Sequence, residues 1–173
     1  MRRIAALLMI AVAALPLAAR GDESAVERGK YLVTLGGCGD CHTPGALIGS
    51  PDPQRRLGGS DVGFGDPASG VWVGPNLTPD NETGLGAWTD DQIVAAITQG
   101  IRPDGRKLSP IMPWPSFSHL TADDARAIVA YLKSLPPVNN KFLGPYSASQ
   151  TPAAPYISVI VPTAEYMTLP RPK

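Results

Sequence analysis

A chain of 173 residues has room for one ordinary hydrophobic core and little more, so a single domain with extensions is expected. Lysine and arginine together number 15, as do aspartate and glutamate, which leaves no basic excess to draw nucleic acid and no acidic excess typical of a disordered tail. With 19 Pro and 18 Gly against 6% aromatic residues, much of the backbone must be irregular and few bulky side chains remain for a core. A large apolar group other than a side chain is expected to fill the middle.

Residues 1–21 read as a signal peptide: Met1-Arg2-Arg3 is the positive start, Ile4 to Ala19 the apolar run, and Asp22-Glu23-Ser24 the polar boundary. The run contains Pro16 and falls short of the roughly 20 residues that span a bilayer, which argues against a retained anchor. Cleavage after Ala19 or after Gly21 fits equally well. Removal of residues 1–21 takes Arg2, Arg3 and Arg20 with it and leaves three more acidic than basic side chains, so the exported chain is mildly acidic.

Three helix starts carry the pattern of a capping box, a hydroxyl followed three residues later by an acid or amide. The first is Ser24-Ala25-Val26-Glu27, after which Val26, Tyr31, Leu32 and Leu35 can share a face before Gly36-Gly37. Cys38-Gly39-Asp40-Cys41-His42 follows at once. Thr43 to Ala87 shows no periodicity and is dense in Gly and Pro. The second box, Thr89-Asp90-Asp91-Gln92, opens a helix with Ile93, Ala96 and Ile97 at helical spacing and Gly100 as its stop. A second aperiodic stretch, Ile101 to Leu120, leads to the third box, Thr121-Ala122-Asp123-Asp124. There Ala125, Ile128, Val129, Leu132 and Leu135 form an apolar stripe that ends at Pro136-Pro137. Residues 139–173 form a Pro-rich C-terminal tail with one short apolar run, Tyr156 to Val161; an extended segment packed on the domain is expected there, with docking to a partner as the alternative. The domain proper is then 22–138, all-α, with long loops wrapped around a site.

The motif from Cys38 to His42 has the spacing of haem c attachment. Its two thiols stand one helical turn apart, suited to the two vinyl groups on one porphyrin edge, and the next residue offers an imidazole to the iron. The motif occurs once and uses both cysteines of the chain, so one covalent haem is expected. Two other chemistries compete for these residues. A redox dithiol normally sits in a βαβ pattern, which is missing here, and a zinc site would need His42 and the distant His119 in an odd ligand set. The sixth iron ligand must come from far along the chain, and the candidates are Met112, His119 and Met167. Met112 lies in Ser109-Pro110-Ile111-Met112-Pro113-Trp114-Pro115, where prolines stiffen an extended loop that can hold a weak thioether ligand. His119, next to the helix cap at Thr121, suits local hydrogen bonding, and Met167 suits ordinary packing. An open sixth position is the remaining alternative.

From about Val26 to Val138 the chain resembles a class I cytochrome c. The resemblance rests on Gly29 and Tyr31 ahead of Cys38, on Gly74-Pro75-Asn76-Leu77, on Trp88, on the Met112 loop, and on Ala130-Tyr131-Leu132. It implies three to five short helices around one haem. It also implies that the Pro75 carbonyl accepts a hydrogen bond from the His42 ring, that Trp88 approaches a haem propionate, and that Gly29 lets the first helix cross the last near Tyr131. The long Gly-rich stretch between His42 and Pro75 departs from the plain family pattern. Together with Leu57-Gly58-Gly59, Asn76-Leu77-Thr78-Pro79-Asp80, Thr83-Gly84-Leu85-Gly86 and Pro103-Asp104-Gly105-Arg106, it is similar to cytochrome subunits of bacterial periplasmic dehydrogenases for alcohols and sugar acids. What this implies is a periplasmic carrier of single electrons between a dehydrogenase-type donor and a respiratory acceptor, with no bond chemistry of its own. The rivals from other classes are a haem enzyme or gas sensor with an open distal site, and a haem subunit of a larger oxidoreductase complex.

Overall fold

The computed structural model describes residues 17–66, 70–141 and 143–158. The apolar run from Ile4 to Pro16, Met167 and residues 159–161 of the tail's apolar run lie outside the described residues. Among the described residues there are five α-helices: α1 (Leu17–Leu35), α2 (Cys38–His42), α3 (Asp90–Gln99), α4 (Trp114–Phe117) and α5 (Ala122–Ser134). Among the described residues no helix is long and apolar enough to cross a membrane.

Among the described residues α1 already runs from Leu17 through Ser24, so that serine is an interior helical residue and the first expected capping box is not a cap. In the uncleaved chain Ala18, Ala19 and Arg20 ahead of Ser24 are good helix formers, so the helix runs on through Ser24. The buried face also differs from the expected one. It runs through half-buried Val26, Gly29 and Val33, with Leu32 half-buried beside it, whereas Tyr31 and Leu35 are 56% and 70% exposed. Gly29 sets this face because α1 crosses α5 there. A methyl on Gly29 would run into the Ala127 carbonyl and approach Tyr131 Cβ to 2.8 Å. That crossing forms the largest helix-to-helix contact of the fold. Gly29→Ala gains roughly 1 kcal/mol of helix propensity but drives a methyl into backbone, an overpacking cost on the order of 3 kcal/mol or more. A net stability loss of roughly 2 kcal/mol is expected, seen as a lower denaturant midpoint of the holoprotein; an unchanged midpoint would show that the crossing yields freely.

The other two caps differ from each other for a local reason. At Thr89 both arms form: the hydroxyl accepts from Gln92 N at 3.2 Å, and the Gln92 amide oxygen accepts from Thr89 N at 2.9 Å. At Thr121 the hydroxyl accepts from Asp124 N at 3.1 Å, but the Asp124 carboxylate accepts from Arg28 Nε of α1 at 2.8 Å. An aspartate is one methylene shorter than the glutamate of a full box, and the cation across the helix crossing takes its oxygen. The expected α5 stripe is buried at Ala125, Ile128, Val129 and Leu132, while Leu135 is the C-cap. Ile128, Val129 and Leu132 meet Val33, Leu57, Leu85 and Ile93 in one core cluster. Gly100, with φ 69°, ends α3 as expected.

The stretch read as aperiodic holds a small sheet. Strands β1 (Gly63–Asp66) and β2 (Gly70–Val73) pair antiparallel, Gly63 opposite Val73, and β3 (Tyr156–Ile157) joins β1 in parallel, giving the order β2-β1-β3. Strand β3 comes from the segment read as a tail. Tyr146 exchanges backbone hydrogen bonds with Val71 at 2.8 and 2.9 Å, Pro155 O accepts from Gly63 N at 2.7 Å, and Ala154 is buried. The fold is thus helical around its site, with a three-stranded sheet added by two glycine-rich strands and the returning tail.

Candidate functional site

Helix α2 is little more than one turn, and it places Cys38 and Cys41 along one side with His42 at its end. Cys38 is half-buried against the core cluster and Cys41 is exposed. Burial, with the Asp40 carboxylate and the second thiol adding to it, pushes the Cys38 thiol up to about 11. Burial and then Asp40 also raise Cys41. A redox dithiol needs one cysteine stabilised as thiolate, and neither is.

His42 is 7% exposed. Its Nδ1 lies 2.7 Å from the Pro75 carbonyl oxygen. A carbonyl can only accept, so the proton of the neutral ring sits on Nδ1 and Nε2 presents its lone pair. Burial keeps the ring neutral by pulling its pKa down, against the smaller raising effect of the Pro75 carbonyl. The backbone of His42 is held as well. Its carbonyl accepts from Gly59 N at 2.9 Å, while Leu57 N donates to Thr43 Oγ1 at 3.0 Å and Leu57 O accepts from Leu77 N at 2.8 Å. Leu57 takes a positive φ of 61° to make this turn.

Asn76, fully buried next to Pro75, uses all its hydrogen-bonding capacity. Its amide nitrogen donates to Val138 O at 2.6 Å and Thr83 Oγ1 at 3.0 Å, and its oxygen accepts from Thr78 N at 2.9 Å and Thr78 Oγ1 at 2.7 Å. Asn140 adds Gly58 O at 2.8 Å. The segment after α5 therefore clamps both loops that hold His42.

The remaining candidates are placed as follows. Met112 is half-buried just ahead of α4, its N–H donating to Ser109 O at 3.1 Å and its carbonyl accepting from Trp114 N at 2.7 Å. Trp88 packs half-buried on the core cluster; its carbonyl accepts from Lys133 Nζ at 3.0 Å, and the Arg102 guanidinium lies over its ring at 4.8 Å. His119 is exposed and its side chain makes no hydrogen bond among the described residues, contrary to the local bonding expected of it. Two residues that the sequence did not single out carry buried donors. Arg102 Nε and Trp114 Nε1 find no hydrogen-bond partner among the described residues.

The Cys38–His42 segment fits a covalent haem. Two thiols one turn apart and an imidazole with Nε2 free for a metal are what such a group would take up. The helical fold and this constellation define a c-type cytochrome domain. The Cytochrome c family model matches residues 26–136, and the chain belongs to that family, whose domain implies haem c.

Its curated relatives include the cytochrome c subunit of the quinone alcohol dehydrogenase of Gluconacetobacter polyoxogenes, 38% identical over 127 residues, which are 73% of this chain and 25% of that protein. The fructose dehydrogenase cytochrome subunit of Gluconobacter japonicus is 32% identical over 117 residues, 68% of this chain and 22% of that protein. The gluconate 2-dehydrogenase cytochrome c subunit of Pantoea cypripedii is 31% identical over 132 residues, 72% of this chain and 27% of that protein. The chain spans about a quarter of the length of these relatives.

Proposed function

We propose that the chain is a periplasmic carrier of single electrons with one haem c, attached at Cys38 and Cys41 and ligated by His42 and Met112. It takes electrons from a dehydrogenase-type donor and passes them to a respiratory acceptor. In this reading residues 1–21 are the signal peptide, 22–138 the cytochrome domain and 139–173 the tail. The observation that carries it is the bond from His42 Nδ1 to the Pro75 carbonyl beside the single Cys38–His42 motif, because it fixes the tautomer a metal ligand needs. The haem supplies a one-electron couple between ferric and ferrous iron. The protein's part is to hold the axial side chains still. Pro75, Gly59 and Asn76 do so for His42, and the hydrogen bonds on either side of Met112, with Pro110, Pro113 and Pro115 around it, do so for the thioether. One edge of the haem must stay near the surface for a transient partner to approach. The dehydrogenase as donor is supported by the names of the relatives, which are cytochrome subunits of such enzymes.

Acidified-solvent extraction of the denatured protein tests the attachment. The pigment is expected to stay with the polypeptide in an amount of one haem per chain; free haem in the solvent would overturn it. In the same preparation, mature protein is expected in the periplasmic fraction and to begin at Arg20 or Asp22, and intact Met1 recovered with membranes would favour an anchor.

A further inference from the structure

The hydrogen bonds of the stretch that follows α5 go to the loops around His42 and to the sheet. The core cluster of α1, α3 and α5 ends at Leu135 and takes in none of the described residues from 138 to 157. Val138 O accepts from Asn76 Nδ2 at 2.6 Å, and Val138 N donates to Thr78 Oγ1 at 3.0 Å. Asn140 N donates at 3.1 Å to Thr83 Oγ1, the same hydroxyl that accepts from Asn76 Nδ2, and Asn140 Nδ2 donates to Gly58 O at 2.8 Å. Further on, Tyr146 is bonded through both N and O to Val71, and Pro155 O accepts from Gly63 N.

These anchors stand beside the atoms that touch His42. Asn76 follows Pro75, whose carbonyl oxygen is 2.7 Å from His42 Nδ1. Gly58 precedes Gly59, whose N–H donates to the His42 carbonyl at 2.9 Å. Strand β2 runs from Val71 straight into Gly74 and Pro75. The segments also approach closely: a methyl on Gly59 would stand 3.1 Å from Asn76 N and 3.5 Å from Asn140 Nδ2, and one on Gly58 would stand 3.0 Å from Val138 Cγ1. A loop carbonyl keeps its place only where hydrogen bonds and packing fix it, and here the fixing groups come from outside the helical core.

We propose that residues 138–141 and 143–157 form a strap that positions the axial imidazole, with Asn140 as its positioning residue, and that the strap thereby sets the reduction potential of the haem. This rests on the carrier reading above. The bond from His42 Nδ1–H to the Pro75 carbonyl makes the imidazole a more basic ligand, which favours ferric iron; a carbonyl held in place keeps that bond, and one set free weakens it. Asn140 joins the two sides. Its side chain holds the Gly58-Gly59 turn on the backbone of His42, and its N–H shares Thr83 Oγ1 with Asn76 beside Pro75.

The test uses holoprotein with Asn140→Ala, Asn140→Gln, Thr83→Val or Asn139→Ala. The readouts are the reduction potential and the deuterium exchange of the hyperfine-shifted His42 Nδ1 proton in the ferric protein. Asn140→Ala is expected to raise the potential and to speed that exchange about tenfold, the effect of one lost hydrogen bond on a local opening. Asn140→Gln keeps the donor on a longer stem and is expected to fall between Asn140→Ala and the wild type. Thr83→Val keeps the side-chain shape, removes the shared hydroxyl and is expected to move both readouts the same way, so it carries the test even if Asn140→Ala does not accumulate. Asn139→Ala is the control: its exposed side chain turns to Glu82 Oε2 at 3.4 Å, and both readouts are expected to match the wild type. A lower denaturant midpoint in Asn140→Ala and Thr83→Val, with potential and exchange unmoved, would make the stretch a structural brace alone and overturn the proposal while leaving the carrier reading intact. A fall in potential without faster exchange would mean entry of water beside the haem and would also overturn it. Wild type without covalent low-spin haem would overturn both.

Discussion

Met112→Ala is expected to abolish the weak far-red sulfur-to-iron band of the oxidised protein, to lower its reduction potential and to let carbon monoxide or cyanide reach the iron. A thioether stabilises ferrous iron and blocks the sixth position, so its loss acts on all three properties together. Axial ligands move haem potentials over a range of about 0.8 V, and a fall on the order of a few tenths of a volt is in proportion. His119→Ala is the matched control. His119 is exposed just before the cap of α5, and its removal is expected to leave band, potential and ligand access nearly unchanged. Loss of low-spin character in His119→Ala but not in Met112→Ala would assign the ligand to histidine. A wild type that is already high-spin and binds small ligands would replace the carrier by the sensor or enzyme reading.

What could be read from the sequence and what could not divide along a physical line. The Cys38–His42 motif and the Thr89 cap are legible because each chemistry is complete within five residues. The Thr121 cap is only half legible, since its second arm was lost to Arg28, 96 residues away from Asp124. On α1 the buried stripe passes through Gly29, which has no side chain to register in a hydrophobic pattern. The hydrophobic pattern therefore places Tyr31 and Leu35 on that face, although both are exposed. The sheet escaped for a related reason: Gly63, Gly65 and Gly70 interrupt the alternation that marks strands, and the partner strand β3 arrives from 90 residues further on. Asn76 was visible in its motif, but its function as a clamp depends on Val138. Arg102 and Trp114 had no signal of their own. An arginine in a Pro-Asp-Gly turn reads as surface, and only the tertiary burial of its Nε, 3.5 Å from the Asp104 carboxylate and without a hydrogen bond among the described residues, distinguishes it.

Gly74→Ala is expected to be the most damaging single methyl near the site, although glycine is not needed there for any unusual backbone angle. The objection is steric. A methyl at Gly74 would drive into the Cys41 carbonyl and stand 3.3 Å from His42 Nδ1. The segment cannot step back, because Gly74 O accepts from Ser60 N at 2.8 Å, Pro75 O accepts from His42, and Leu77 N is bonded to Leu57 O at 2.8 Å. Strain must then go into α2, turning the His42 ring away from Pro75 and loosening the carbonyl that fixes its tautomer. A stability loss on the order of 3 kcal/mol is expected from overpacking, together with a changed potential or partial loss of low-spin haem. Gly39→Ala, inside the attachment motif itself, is the contrasting case. Its new methyl would meet only Thr43 Oγ1 at 3.7 Å, an ordinary contact, and alanine improves helix propensity by up to roughly 1 kcal/mol. Spectrum and potential should be retained in Gly39→Ala, with a denaturant midpoint equal to or above the wild type. The reverse ranking, with Gly74→Ala intact and Gly39→Ala impaired, would mean that the approach of the Gly74-Pro75 backbone to His42 does not govern the ligand.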